Sequence, residues 1–192
     1  ACYIPVGHRS NGDGDLALDG DTPDQLPLEA VLAKLKPVFE DPRVLKIGQN
    51  LKYDILVLSR YGVRITPFDD TMLLSYALDS GVTRHGMDEL AMAHLGHQTI
   101  KFSDVAGTGK KKLTFDRVPL DKATDYAAED ADITLRLHKT LKPRLVQDKL
   151  TSIYEGLERP LVQVLVDMEK AGIKADRQML ARLSGEFAIR MA

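Results

Sequence analysis

Apolar residues recur along much of the chain with the spacing of an α-helix. From Leu28 to Leu35 they return every three or four residues after Pro27, which predicts an amphipathic helix that ends before Pro37. The run from Val44 to Ile47 is apolar and short, as is typical of a buried strand in a parallel sheet. Strand and helix patterns alternate, and this order predicts an α/β fold built from βαβ units.

The other patterns extend this prediction. Residues 2–6 predict a strand with an edge or irregular end at Pro5, and residues 65–69 predict another short strand. Asp70 is the predicted cap of the helix that follows it. Further helices are predicted at Leu51–Tyr61 (closed by a left-handed Gly62), Thr71–Leu78, Met87–Leu95 (ending at Gly96), Leu120–Leu145, Thr151–Ala171 and Asp176–Met191.

One helical pattern has an apolar stripe with no evident partner. Within Thr151–Ala171 the stripe consists of Leu157, Leu161, Val164, Leu165 and Met168. Apolar residues at this spacing form one face of a helix, and that face needs another surface to cover it. We expect the partner to lie outside this chain.

Composition and charge narrow the class of protein. With 192 residues, 44% of them hydrophobic and 28% charged, the chain is long enough for one core and the start of a second. The net charge of −2 gives no global attraction to nucleic acid, so DNA binding would need local basic patches. A single cysteine, Cys2, excludes an internal disulfide and fits a reducing cytoplasm. No apolar run approaches the ~20 residues that cross a bilayer.

Asp54 is the first candidate for chemistry. It lies in the first turn of the predicted Leu51 helix, and Asn50 is a suitable N-cap for that helix. The unpaired amides of a first turn favour an ionised carboxylate, which can hold a divalent cation. The alternative is an acidic residue that only favours the helix dipole.

Tyr126 and Asp130 are the second candidates. They lie four residues apart in a helical pattern, so both project from one helix face. The alternative is a half-buried tyrosine beside a solvated acidic face formed by Asp125, Glu129 and Asp132. We expect Glu129 and Asp132 to be solvated and not catalytic.

These two motifs together carry a family resemblance. Asn50-Leu-Lys-Tyr-Asp54 and the Tyr-x-x-x-Asp of Tyr126 and Asp130 resemble the motifs of the 3′-to-5′ proofreading exonuclease domain of bacterial family A DNA polymerases, the DNA polymerase I family. The resemblance extends from Tyr3 to Asp176. It continues through Phe68-Asp-Asp-Thr-Met-Leu-Leu-Ser-Tyr, Arg84-His-Gly-Met-Asp, Lys101-Phe-Ser-Asp-Val-Ala-Gly and Leu113-Thr-Phe.

The resemblance implies an RNase H-like (DnaQ-like) α/β fold and a two-metal phosphodiester hydrolysis that removes 3′-terminal nucleotides within a polymerase of replication and repair. Two Mg²⁺ or Mn²⁺ ions about 3.5–4 Å apart would activate water and stabilise the leaving oxygen. By resemblance, Asp130 binds one ion directly, Asp54 acts on the second directly or through water, and Tyr126 orients the attacking water. The partners implied are the single-stranded 3′ end of DNA and the remainder of the polymerase chain, with no membrane.

The resemblance also assigns residues that bind DNA. Gln49, Asn50 and Tyr53 would line the path of the strand, Arg84 would contact a phosphate, and Phe102 would stack on or separate the terminal bases. The alternative, which the sequence supports equally, is that Phe102 is a core residue, since it is a single aromatic residue in a loop-rich segment.

The chain departs from the family at one place. Such exonucleases take two further carboxylates from an Asp-x-Glu that precedes the Tyr3-Ile-Pro-Val segment, and no such motif occurs here. Asp13 and Asp15 stand in a polar, Gly-rich run that we interpret as a loop. We therefore expect a domain truncated at its N-terminus over residues 1–148, with little or no exonuclease activity alone. Residues 149–192 would be the first helices of the polymerase thumb.

Two other motifs give weaker functional signals. The run from Gly107 to Lys112 fails the phosphate-loop pattern, because Asp104 and Lys111 stand where Gly and Ser or Thr are needed. It is interpreted as a solvated charge run, with a basic loop that touches the DNA backbone as the alternative. His94 and His97 straddle Gly96, so we assign no zinc site to them.

Two further functional classes stay open. One is a DNA-binding module that keeps the fold and the strand-binding groove without hydrolysis. The other is a relative of the same fold that trims RNA. The thumb-like helices after Leu150 argue against this class, because they have no role in an RNA-trimming enzyme.

Overall fold

The secondary structure is mostly helical. The computed structural model describes residues 1–9, 24–81, 84–109 and 112–191. Its helices are α1 (Leu28–Glu40), α2 (Leu51–Ser59), α3 (Thr71–Asp79), α4 (Met87–Leu95), α5 (Phe102–Ala106), α6 (Leu120–Gln147), α7 (Thr151–Ile153), α8 (Arg159–Ala171) and α9 (Arg177–Met191), with a 3₁₀ turn at Phe115–Arg117 and a π-helical segment at Tyr154–Glu158. Within these ranges no helix is both long and apolar enough to cross a membrane.

A small parallel sheet stands beside the helices. Strand β1 (Lys46–Gly48) pairs with β2 (Phe68–Asp70), so that Gly48 lies opposite Asp70. The predicted first strand of this pair began two residues earlier, at Val44. That boundary was wrong because Val44 closes a turn, in which its N–H donates to the carbonyl of Asp41 at 3.2 Å. Lys46 is buried at the start of β1, and its ammonium group donates to the carbonyls of Asp41 and Val44.

The predicted strand at residues 2–6 is absent. Residues 1–5 have no regular secondary structure, and the paired strands among the described residues are β1 and β2. A strand needs a neighbour for its backbone groups, and this segment has none there. Tyr3 instead packs edge-on against His8 and Phe115, with ring centroids 5.6 and 6.1 Å away.

The main core lies between α3, α4 and α6. One row of α6 contributes every fourth residue from Ile133 to Leu145, all 0–1% exposed. Leu74 from α3, Leu90 from α4 and Tyr154 from the π-helical segment pack against this row. The predicted long helix is confirmed, and α4 ends at Gly96 as predicted, where the backbone is left-handed.

Helix α1 runs through Pro37, where the sequence predicted its end. The packing beyond the proline explains the difference: Phe39 contacts the cluster of α2 and α8, and its carbonyl accepts the N–H of Thr66 at 3.1 Å. Tertiary contacts of this kind hold the last turn although the proline removes one helical hydrogen bond.

Helix α8 packs on the same structure at one face only. Val162 and Val166 of α8 are buried against α2, 4% and 1% exposed. The opposite face is the predicted apolar stripe, and its exposed members are Leu157 (65%), Leu161 (46%), Val164 (53%) and Met168 (63%). No residue of α9 is buried. Among the described residues the stripe therefore has no partner.

Candidate active site

Tyr126 and Asp130 face the same half-buried region from consecutive turns of α6. Burial, the charge of Asp130 and contact with it raise the pKa of Tyr126 to about 12. Burial raises the pKa of Asp130 to about 6, and the charges of Glu129 and Asp88 add to this effect while the Tyr126 hydroxyl opposes it. At neutral pH the phenol stays protonated, so Tyr126 can donate or accept a hydrogen bond but cannot act as an anionic base.

Asp88 is a third acidic residue of this region that the sequence did not single out. It stands in the first turn of α4, and its charge raises the pKa of both Tyr126 and Asp130. Its Oδ1 accepts a hydrogen bond from Thr99 Oγ1 at 2.6 Å. The signal in the sequence was Arg84-His-Gly-Met-Asp88, where an acid follows a glycine at a helix start.

Two aromatic rings pack against Tyr126. The aromatic cluster consists of Phe102, Phe115 and Tyr126, whose centroids lie 5.9–6.2 Å apart. The ammonium of Lys112 lies 5.2 Å from the Phe102 centroid. Phe102 is half-buried, so its ring belongs partly to the core and still reaches the surface. Lys110 and Lys111, in the basic run before Lys112, lie outside the described residues.

Glu129 is not the solvated residue that the sequence predicted. Its Oε1 lies 2.7 Å from His97 Nε2, and its Oε2 accepts the backbone N–H of Ile100 at 2.6 Å. The side chain is 18% exposed. It therefore anchors the segment that precedes α5, because it satisfies a backbone donor that would otherwise be unpaired. Asp132 is exposed, as expected.

The N-terminus of α2 is built differently from the prediction. Asn50 stands at the N-cap position, but it has φ +57° and its side chain makes no capping hydrogen bond. The side chain of Asp70 caps α2 instead: it accepts the N–H of Asn50 at 3.0 Å and the N–H of Leu51 at 2.8 Å. Asp70 also caps α3 through Met72 N at 2.9 Å, which confirms the predicted cap.

Asp54 lies in the first turn of α2 and reaches solvent. The protein packed around it and the charge of Asp70 raise the pKa of Asp54. The sequence had predicted that the helix N-terminus would favour the ionised form. The backbone N–H of the helix start lowers the pKa of Asp54 as expected, but the surrounding protein and the charge of Asp70 raise it by more, so the net shift is upward.

The predicted DNA-binding residues near α2 lie around its start. Gln49 donates to the carbonyl of His85 at 2.9 Å and accepts from the hydroxyl of Thr71. This places the Arg84-His85 segment beside the end of β1. Arg84, Asn50 and Tyr53 are exposed, Tyr53 by 67%. All of them are available to a ligand at this surface.

The predicted site residues thus form two groups. Tyr126, Asp130 and Phe102 share one, and Gln49, Asn50 and Asp54 share the other. The segment from His85 to Asp88 reaches both groups, since the carbonyl of His85 accepts from Gln49 and the charge of Asp88 raises the pKa of Asp130. Asp13 and Asp15 lie outside the described residues.

The donor chemistry suits a hard divalent cation, but the number of donors is small. Carboxylate oxygens such as those of Asp54 and Asp130 are the ligands that Mg²⁺ and Mn²⁺ prefer. Within the ranges that the structure describes, no group of three or more His, Cys, Asp or Glu side chains is arranged to hold a metal ion. Asp54 and Asp130 alone would be fewer ligands than a divalent cation takes.

Comparison of the sequence with known protein families shows which family this chain is similar to. The model of a 3′-5′ exonuclease family matches residues 15–146, which is more than half of the chain. The chain belongs to this family. It includes both motifs, from Asn50 to Asp54 and from Tyr126 to Asp130, within the matched range.

A close relative of this exonuclease-family chain is a much longer protein. DNA polymerase I of Rhizobium leguminosarum is 56% identical over 188 residues, which is 98% of this chain and 18% of the relative. The chain therefore spans about a fifth of the length of that relative.

Solved structures agree on the fold. The POL domain of Pol1 from M. smegmatis, in complex with DNA primer-template and dNTP, has a TM-score of 0.64 and 26% identity, covering 88% of this chain and 26% of that one. Brucella melitensis NrnC with bound Mg²⁺ has a TM-score of 0.59 at 23% identity, covering 74% and 67%. The predicted RNase H-like exonuclease fold is confirmed, with a small sheet and a large helical part.

Proposed function

We propose that this chain is the proofreading domain of a bacterial DNA polymerase I and hydrolyses 3′-terminal nucleotides of DNA. The observation that carries the proposal is the 56% identity to DNA polymerase I over 98% of the chain. The proposed partners are the single-stranded 3′ end of DNA and the rest of the polymerase chain, and the proposed location is the bacterial cytoplasm.

The proposed roles follow the two groups of residues. Asp130 would contribute oxygens to one divalent cation and Asp54 to a second, directly or through water. Divalent ions bound there would lower the pKa of the attacking water and stabilise the leaving oxygen. Tyr126 would orient that water through its hydroxyl, for which its pKa of about 12 keeps it protonated.

The DNA end would enter between the two groups. Phe102 would stack on a terminal base, since it reaches the surface from the aromatic cluster, and Arg84 would contact a phosphate. Gln49, Asn50 and Tyr53 would line the path at the start of α2. The exposure of Arg84 and Tyr53 supports these roles.

The remainder of the polymerase would cover the apolar stripe of α8. Four members of the stripe are 46–65% exposed, which is unfavourable in water. We propose domain limits of 1–148 and 149–192 for the longer protein, the second part being the start of the thumb. Tyr154 and Val166 belong to the second part but are buried against the first. The proposed limit at residue 148 would therefore separate two functions and not two separately packed units.

A second candidate is a DNA-binding module without hydrolysis. The observation in its favour is the exposure of Asn50, Tyr53 and Arg84, which are available to bind a DNA strand whether or not it is hydrolysed. Under either candidate we expect weak or no hydrolysis by this chain in isolation.

One assay separates these candidates and the RNA-trimming alternative. Single-stranded DNA and RNA with a labelled 3′ end are incubated with Mg²⁺ and either the full-length protein or this chain. The proposal predicts release of deoxynucleoside monophosphates by the full-length protein. Binding without release supports the module, and preferential release from RNA supports a trimming enzyme.

A further inference from the structure

Asp70 joins the starts of two helices. Asp70 is 1% exposed, and its carboxylate accepts three backbone N–H groups, from Asn50 and Leu51 at the start of α2 and from Met72 in α3. The first amides of a helix have no partner within the helix. Since the Asn50 side chain makes no capping hydrogen bond, Asp70 is the side chain that satisfies the start of α2.

Tyr154 holds the backbone of Asp70 in place. Its hydroxyl accepts the N–H of Asp70 at 3.0 Å and donates to Asp69 Oδ1 at 3.0 Å. The side chain is 0% exposed. Tyr154 begins a π-helical segment that leads into α8, and such segments are common at functional sites.

These contacts form a continuous path to Asp54. It runs from the segment before α8, through Tyr154 and Asp70, to the amides of Asn50 and Leu51, and Asp54 follows within one turn of α2. The path uses backbone amides at its last step, so it fixes where α2 begins. A displacement of about 1 Å at a reacting group can cost a hydrolase roughly 100-fold in rate.

We propose that Asp70 and Tyr154 are positioning residues that set the start of α2, and with it the place of Asp54, for the hydrolysis proposed above. The inference rests on that proposed function for its kinetic consequence. Its structural part, the control of the α2 amides by Asp70, stands independently. Neither residue contacts the DNA end in this account.

The first test is hydrogen exchange in Asp70→Asn. Asparagine keeps one acceptor oxygen and replaces the other with an N–H₂ donor, so it cannot accept from all three amides. Oδ1 accepts from Asn50 and Met72 and Oδ2 accepts from Leu51, so whichever oxygen is replaced, at least one of the amides of Asn50 and Leu51 loses its acceptor. In the full-length protein we expect that amide to exchange about tenfold faster. The matched control is Asp176→Asn, because Asp176 caps α9 in the same way, through Gln178 N and Met179 N, away from α2.

The second test is kinetic and uses Tyr154→Phe, with Tyr61→Phe as the control since Tyr61 is 51% exposed. We expect kcat for release of the 3′ nucleotide to fall about tenfold with KM for single-stranded DNA unchanged, while the circular dichroism spectrum stays native. A structural role alone would lower the melting temperature and leave kcat at a permissive temperature unaltered.

The outcomes separate the two proposals. Unchanged exchange at Asn50 and Leu51 in folded Asp70→Asn overturns the positioning role, as does an unchanged kcat in Tyr154→Phe. If Asp70→Asn does not fold, amide exchange at Asn50 and Leu51 in Tyr154→Phe decides whether the positioning role holds. If the wild-type protein releases no nucleotide, the proposed function fails, and the exchange data still decide whether Asp70 controls the start of α2.

Discussion

The carboxylate of Asp69 lies 2.8 Å from Nε2 of His138, which joins the end of β2 to the middle of α6. The other oxygen of Asp69 accepts from Lys142 Nζ and Arg159 Nη1, both at 3.1 Å, and from Tyr154 Oη at 3.0 Å. Asp69 is 1% exposed. A buried carboxylate with this many donors ties the sheet to α6 and α8, since each donor comes from one of those segments or the turn between them.

The first prediction concerns acid stability. Burial of Asp69 opposes its ionisation, but the hydrogen bonds from His138, Lys142 and Tyr154 outweigh it and lower its pKa from 3.8 to about 2. The unfolded chain therefore binds a proton first as the pH falls. The stabilisation is complete above pH 4 and is lost between about pH 4 and 2, at a cost of about 2 kcal/mol in the free energy of unfolding.

Urea unfolding at several pH values measures this effect. The difference between wild type and Asp69→Asn should shrink by about 2 kcal/mol from pH 5 to pH 2. Asp167→Asn is the control, because Asp167 is exposed and should leave the pH profile unchanged. A constant difference between wild type and Asp69→Asn across this range would contradict the assignment.

The second prediction tests the core row of α6. Leu141 is 0% exposed, so Leu141→Ala leaves a cavity and should lower the free energy of unfolding by about 2–5 kcal/mol. Leu135, on the same helix, is 41% exposed, and Leu135→Ala should cost under about 1 kcal/mol. Equal losses in the two variants would show that the α6 row is not the core.

Structural features that depend on residues close in the sequence could be predicted, and those that depend on residues far apart in the sequence could not. Helix α4 and its end at Gly96 were predicted residue for residue, because apolar spacing and a C-terminal glycine are local signals. The course of α1 through Pro37 was not, because contacts of Phe39 with α2 and α8 hold it. The strand at residues 2–6 failed for the same reason, since a strand depends on a neighbour.

The site shows the same division. Tyr126 and Asp130 could be paired from their spacing, because one helix carries both. The anchoring role of Glu129 needs His97 and Ile100, about 30 residues earlier, and no local pattern shows it. Asp70 was predicted to cap α3, which follows it directly, but its role at α2 depends on the parallel pairing of β1 and β2.

The third prediction follows from this anchoring role. Glu129→Ala removes the acceptor of Ile100 N and the partner of His97, so the free energy of unfolding should fall by about 1–3 kcal/mol. The amide of Ile100 should exchange faster than in wild type. Asp125→Ala, on the exposed side of the same helix, should change neither quantity. An unprotected Ile100 amide in the wild-type protein would contradict this role.

The fourth prediction concerns Phe102. If the ring stacks on a terminal base, Phe102→Ala should weaken binding of single-stranded DNA by about 1–3 kcal/mol, as measured by fluorescence anisotropy. Tyr61→Ala serves as the control because Tyr61 lies outside both groups and is exposed. Unchanged affinity, together with a lower melting temperature, would show that Phe102 is only a core residue.

The most direct test of the account is a double-mutant cycle on Asp54 and Asp130. The rate of 3′-nucleotide release is measured in the full-length protein for Asp54→Asn, Asp130→Asn and the double variant, with nucleotide incorporation as the control. If both carboxylates serve one reaction centre, each single variant should lose about 100-fold or more, and the double variant should lose little beyond the more severe single variant. Losses that multiply, or a wild-type rate in Asp54→Asn, would contradict a shared centre.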